Sequence, residues 1–174
     1  SSPPYCFSPW FNATPGACDP DYYNSCSSNP PSQTPDNWCG HQVPRTGNAY
    51  AGAFLYTGGS VTGSDYIEAM LNDTLIAGKK YYVTFYISLC VSSKYSVDGV
   101  GAYFSNDTLL STTSCYFPVQ PQVENPAGNV ITDTTNWVPI SGSFTAAGGE
   151  LFITIGNFRS FSRRVCLPWN SAAT

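Results

Sequence analysis

The chain has 174 residues, enough for one domain with a substantial core. Only 10% of residues are charged and the net charge is −4, which argues against nucleic acid or an anionic membrane surface as partner. Aromatic residues reach 15%, too many for a disordered chain, and no apolar run approaches the roughly 20 residues of a membrane span. The N-terminus has no signal-peptide pattern, so it reads as that of a mature, processed chain.

Residues 1–48 are rich in turn formers. "NATPGACDPD" and "SSNPPSQTPDN" are dense in Pro, Gly, Asn and Asp, and nine of the 14 prolines precede residue 45. This stretch is predicted to wrap a β core spanning 49–158. In "YYVTFYISLC", Val83, Phe85, Ile87 and Leu89 fall on one side and Tyr82, Thr84, Tyr86 and Ser88 on the other. "DYIEAML", framed by "YAGAFLY" and that run, is predicted as a strand. "VGAYF" turns Val100, Ala102 and Phe104 inward, and "WVPISGSF" puts Val138, Ile140 and Phe144 on one face. Pro139, which lacks an N–H, belongs on an edge or beside a bulge. "LFITIGNF" is predicted to bury Leu151, Ile153 and Ile155, and "AGKK", "VDG" and "AAGGE" are turns. The pattern predicts an all-β fold: a two-layer antiparallel β-sandwich of jelly-roll type, with a long disulfide-pinned N-terminal loop region. Residues 159–174 read as an irregular tail of the same single domain, 1–174.

Seven cysteines stand at Cys6, Cys18, Cys26, Cys39, Cys90, Cys115 and Cys166. They form no C-x-x-C pairs, and with His41 as the sole histidine a structural zinc site is a poor fit. Disulfides formed in an oxidising compartment fit better; buried free thiols in a reducing one are the alternative. Cys90–Cys115 is the expected bridge, because the two flank a predicted hairpin. Local bridges are expected among Cys6, Cys18, Cys26 and Cys39, leaving Cys166 unpaired or intermolecular.

Groups able to do chemistry are few. His41 has no G-x-S-x-G partner and reads as structural. Glycoside hydrolysis needs two facing carboxylates; Glu68 and Glu150 lie in or beside strands, but nothing marks either as an acid. No catalytic residue and no required cofactor is expected. In "CDPDYYNSC", the oxygens of Asp19, Asp21 and Asn24 suit a structural calcium, and an Asx-turn explains them as well. Tyr82 and Tyr86 share a strand face, with Tyr22, Tyr23, Trp38 and Tyr50 in or near loops. Such rings can stack on sugars or pack under the N-terminal loops. Sequons at Asn12, Asn72 and Asn106 mark candidate N-glycosylation sites.

"PDYYNSC", "GHQVPRTGNAYAGAFLY", "YIEAMLNDTLIAGKKYYVTFYISL", "SKYSVDGVGAYFS" and "NVITDTTNWVPISGSFTAAGGELFITIGNF" follow one another across most of residues 20–158. In this order they resemble the jelly-roll surface modules secreted by gliding Bacteroidetes-type bacteria. Those modules are often joined to PKD-like, OmpA-like or sorting domains, and are similar in architecture to carbohydrate-binding modules. The resemblance implies a secreted, cell-surface protein. It also implies O-glycosylation at Thr74, Thr108 and Thr134, each within an Asp-Thr-Leu or Asp-Thr-Thr motif. Family members usually open with a strand like N-L-V-P-N-P-S-F-E and close with one like Y-Y-Y-I-D-D-V, and this chain has neither. Losing both would leave a groove of unpaired backbone groups and apolar core. The expectation is a non-enzymatic, glycosylated subunit that assembles with copies of itself into a surface layer or filament. Residues 1–8, or the tail from Phe158 with Arg163, Arg164, Cys166 and Trp169, would make the contact. A carbohydrate-binding module or adhesin fragment is the alternative.

Overall fold

The computed structural model describes residues 9–56 and 63–160, and for 166–168 the backbone alone. Cys6, Arg163, Arg164 and Trp169, and the side chain of Cys166, lie outside the described residues. The fold is all-β, two-layered and antiparallel. Its thirteen described strands are β1 (Trp10–Asn12), β2 (Asp21–Asn24), β3 (Asp36–Asn37), β4 (Gly40–His41), β5 (Ala49–Gly52), β6 (Ile67–Met70), β7 (Lys80–Ile87), β8 (Tyr95–Val97), β9 (Val100–Ser105), β10 (Val123–Glu124), β11 (Val138–Thr145), β12 (Phe152–Asn157) and β13 (Cys166–Pro168). Five of them form one sheet in the order β1-β6-β12-β9-β10, and a two-stranded sheet of β7 and β11 lies against it. Short pairs β2–β5, β3–β4 and β8–β13 complete the structure.

Alternation places the layers. Val100, Ala102 and Phe104 are buried as predicted, while Tyr82 on β7 is 80% exposed. Across the layers Phe104 and Phe144 stack with centroids 4.7 Å apart. Val97, Val100 and Ile140 form the inter-layer cluster with Phe85, Ile87 and Ile155 packed on it. Pro139 pairs with Tyr86 on β11, an outer strand of its sheet, as its missing N–H requires.

One alternation prediction needs revision. Leu151, Ile153 and Ile155 are only half-buried, and the residue of β12 wholly removed from solvent on the opposite face is Thr154. The outer face of the five-stranded sheet is covered too, by a second cluster of Ala13, Tyr66, Phe117 and Phe158 with Tyr103, Leu109 and Val119. Under that cover Glu68 is fully buried. Its carboxylate accepts the Thr154 hydroxyl at 2.6 Å, the Leu109 N–H at 3.0 Å and the Thr108 hydroxyl. Three donors satisfy oxygens that burial would otherwise leave unpaired at a cost.

The cover also corrects the predicted bridge. Cys115 pairs with Cys18, not with Cys90. The hairpin that suggested Cys90–Cys115 does not form, because β8 pairs with β13 and β9 with β12 and β10. Cys115 sits instead where Gly63 makes room for it; a Cβ there would stand 2.5 Å from Cys115 Cβ. Cys26, Cys39 and Cys90 are free thiols and Cys18 pairs with Cys115, so no local bridge joins Cys18, Cys26 and Cys39, the described members of the expected set Cys6, Cys18, Cys26 and Cys39. Two further elements depart from prediction. The N-terminal segment is more than a wrap, since β1 forms one edge of the main sheet. The tail contributes β13, which pairs with β8.

The first tail arginine points inward. Arg159 donates to Asp98 at 2.6 Å, to Glu124 at 2.9 Å and to the Asn125 carbonyl at 3.0 Å. It lies against Gly99, whose φ of +71° and lack of Cβ allow the approach. Arg159→Met is expected to cost about 3–5 kcal/mol, since it removes the cation beside wholly buried Asp98. Gly156→Ala would set a Cβ 2.2 Å from Tyr66 Cδ1, and is expected to cost about 1–3 kcal/mol. Urea titration of each variant against the parent checks both values.

Candidate functional site

Where the two layers differ in width, the inner face of the larger sheet is left partly uncovered. The register of β7 shows what lines that opening. Ala146 N–H donates to the Lys79 carbonyl at 3.0 Å, so the hydrogen-bonded pairs with β11 fall at the odd positions of β7. Pro139 opposite Tyr86 fits the same parity, and so does the 2.9 Å contact of the Thr84 and Ser141 hydroxyls. Tyr82, Thr84 and Tyr86 therefore turn their N–H and C=O groups away from β11. Among the described residues β7 has no second strand partner.

A cavity of about 800 Å³ opens beside the Phe85–Ile87 end of this strand. Its apolar part is core that a wider second layer would cover: Ile67, Val100 and Ile155 from the main sheet, Phe85 and Ile87 from β7, and Val97 from β8. The remaining wall is aromatic. Trp38 and Phe54, 45% and 48% exposed, stand 5.5 Å apart at their ring centroids. Tyr56 meets Tyr95 edge-on at 5.1 Å. Tyr23 packs on Tyr50, and Tyr50 on Trp137, which hangs the β2–β5 pair over the end of β11.

Two carboxylates adjoin this wall: Asp21 borders the cavity, and Asp65 is buried against the Phe54 backbone. Asp65 accepts the Phe54 N–H at 2.6 Å, and its own N–H donates to the Phe54 carbonyl at 2.8 Å. Burial pushes its carboxyl up to about 6, against the lowering effect of the Phe54 N–H, with Asp21 and Asp19 adding to the rise. Burial raises Asp21 as well, and the Tyr23 hydroxyl bond offsets this only in part.

The predicted sugar platform is split. Tyr86, Tyr22, Tyr23, Trp38 and Tyr50 all border the cavity, but Tyr82 does not. Tyr23 is 1% exposed, so it is packing, and Tyr86 lies beneath the Arg45 guanidinium at 3.5 Å. Sequence reasoning missed Phe54, Leu55 and Tyr56; the signal was the apolar run continuing past the end of β5, where a surface loop would be polar.

The proposed calcium ligands are each engaged elsewhere. Asp19 accepts from Asn12 at 2.8 Å, Asp21 from the Tyr23 hydroxyl at 3.3 Å and Asn24 from the Cys26 N–H at 2.8 Å. The last is the Asx-turn. His41 is exposed and paired with Asp36 at 2.8 Å. Glu150 caps the "AAGGE" turn; burial tends to raise its carboxyl, but its own N–H and those of Ala147 and Gly148 hold it below the ordinary range.

Of the sequons, Asn72 and Asn106 are exposed. The Asn12 amide is occupied, donating to the Cys18 carbonyl at 2.9 Å as well as to Asp19. Thr74 is exposed and Thr134 half-buried, while the Thr108 hydroxyl is committed to Glu68.

Comparison with protein-family models, with curated proteins and with solved structures finds no match. No helix among the described residues is long and apolar enough to cross a membrane.

Asp65 makes stability pH-dependent with a known sign. Its carboxyl holds a proton more tightly folded than unfolded, from the ordinary 3.8 up to about 6. The folded state therefore binds more protons in that window, and stability falls as pH rises through it, by at most about 1.4 kcal/mol per pH unit. Urea midpoints across the window should show this slope in the parent and lose it in Asp65→Asn.

Proposed function

We propose that this chain is a non-enzymatic, extracellular building block that joins copies of itself by strand donation. The observation that carries the reading is the outward-turned backbone of β7 beside a cavity floored by Ile67, Ile155 and Phe85. A strand laid there would satisfy the N–H and C=O groups of Tyr82, Thr84 and Tyr86 and cover the apolar floor. Main-chain bonds supply affinity and alternate side chains select the donor. A donor from a neighbouring copy makes a head-to-tail contact, and such contacts grow into filaments when they do not close. Residues 1–8, with Tyr5 and Phe7 alternating, lead directly into β1, whose Trp10 borders the cavity. They are the preferred donor; the tail is the second, tethered through β13 to β8.

The Cys18–Cys115 bridge and the exposed sites Asn72, Asn106 and Thr74 are consistent with a secreted, glycosylated surface protein. Membership of the Bacteroidetes-type jelly-roll modules belongs to the same reading.

A glycan-binding role is the second reading, favoured by the exposed rings of Trp38 and Phe54 at the cavity wall. Retention on polysaccharide affinity gels that Trp38→Ala abolishes would establish it.

Thr84→Pro separates the two. Thr84 does not use its N–H toward β11, so the variant should keep the parent's circular dichroism yet sediment as a monomer. Removal of residues 1–8 should have the same effect. Undiminished assembly by folded Thr84→Pro overturns the strand-donation reading.

A further inference from the structure

Two half-buried thiols meet at one seam of the molecule, where the N-terminal wrap passes the end of the second layer. Cys39 lies between β3 and β4, and Cys90 lies just beyond β7. Cys90 Sγ donates to the Cys39 carbonyl at 3.1 Å, across a sequence separation of 51. The Ser92 N–H reaches the same carbonyl at 3.1 Å. The Ser88 hydroxyl donates to Gln42 at 2.9 Å a few residues along the same seam. Gly40, with φ of +112°, lets the strands close; a Cβ there would stand 2.8 Å from Val91 Cβ. Both residues border the open cavity.

We propose that Cys39 and Cys90 form a second disulfide of this protein, made by exchange with a small-molecule disulfide and stapling the N-terminal wrap to the end of β7. The Cys90 Sγ and Ser92 N–H bonds to the Cys39 carbonyl, with Gly40 against Val91, hold the two cysteines side by side across the seam. The chemistry is matched as well. The hydrogen bond with Cys39 and the N–H groups of Ser92 and Ser93 push the Cys90 thiol down to about 7, against the raising effect of burial. The Cys39 thiol is pushed up, by its bond to Cys90 and by burial. Cys90 is thus the attacking thiolate. It attacks one sulfur of the reagent disulfide, forming a mixed disulfide and expelling one thiolate. Cys39 then loses its proton and attacks Cys90 Sγ, expelling the second. The two protein thiols lose two electrons, the reagent S–S bond gains them, and the two protons end on the two small thiols released.

The inference stands apart from strand donation, because it concerns a bond within one chain. The test is to incubate the folded chain with oxidised glutathione near neutral pH, block remaining thiols with N-ethylmaleimide, digest without reduction and map the peptides by mass spectrometry. The expected result is a cross-linked peptide pair carrying Cys39 and Cys90, with both lost from the alkylated pool. Alkylation of both, or linkage of either to a different cysteine, overturns the proposal. As a second measurement, oxidation should raise the unfolding midpoint of the parent but not that of a Cys39→Ala, Cys90→Ala double variant. If that variant does not fold, the peptide map alone decides.

Discussion

A five-stranded sheet packed against a two-stranded one has more inner face than its partner can cover, and the rest of this molecule is arranged around that mismatch. Over β9 and β10 the layers meet closely, with Gly142 leaving space for Val123 and Phe104 stacked on Phe144. Over β6 and β12 the second layer stops at β7. Apolar surface and the outward-turned peptide edge at the Tyr86 end of β7 then adjoin a common space, and both are unfavourable to leave uncovered. The chain's own response is the aromatic wall built from β2, β5 and the loop through Trp38 and Phe54. That wall narrows the opening without adding a strand to β7 among the described residues.

The opposite face of the large sheet is finished differently. There the loop from Asn106 to Val119 and the segment around Ala13 lie across the strands, tied by Cys18–Cys115. The covered face contains Glu68, Thr154 and Tyr103, which share a register across neighbouring strands. Its polar members bond to one another, and Tyr66 donates to the Asn157 carbonyl at 2.7 Å. A sheet covered on both faces cannot show clean alternation. This is why Thr154 is inside while Ile153 is not fully buried.

Most of the buried polar groups have structural uses. Glu68, Glu150 and Asp65 each hold backbone or hydroxyl donors, and Arg159 is occupied by Asp98, Glu124 and Asn125. These are supports for turns and covers. The features without such an internal use gather around the β7 edge, where the exposed rings, the apolar floor and the Cys39–Cys90 contact lie within one neighbourhood.

The all-β class, the facing of β7 and β9 and the edge position of Pro139 were legible from the sequence, because each follows from a local rule: side chains alternate along a strand, and proline has no N–H to give. The wealth of cysteine was equally plain from composition. Only the tertiary structure decided that Cys115 meets Cys18, that Cys90 meets Cys39, that Thr108 is tied to Glu68 and that β7 borders an open cavity. Each of these joins residues far apart in the chain, so it depends on which layer a loop crosses. No period or spacing within a segment carries that information.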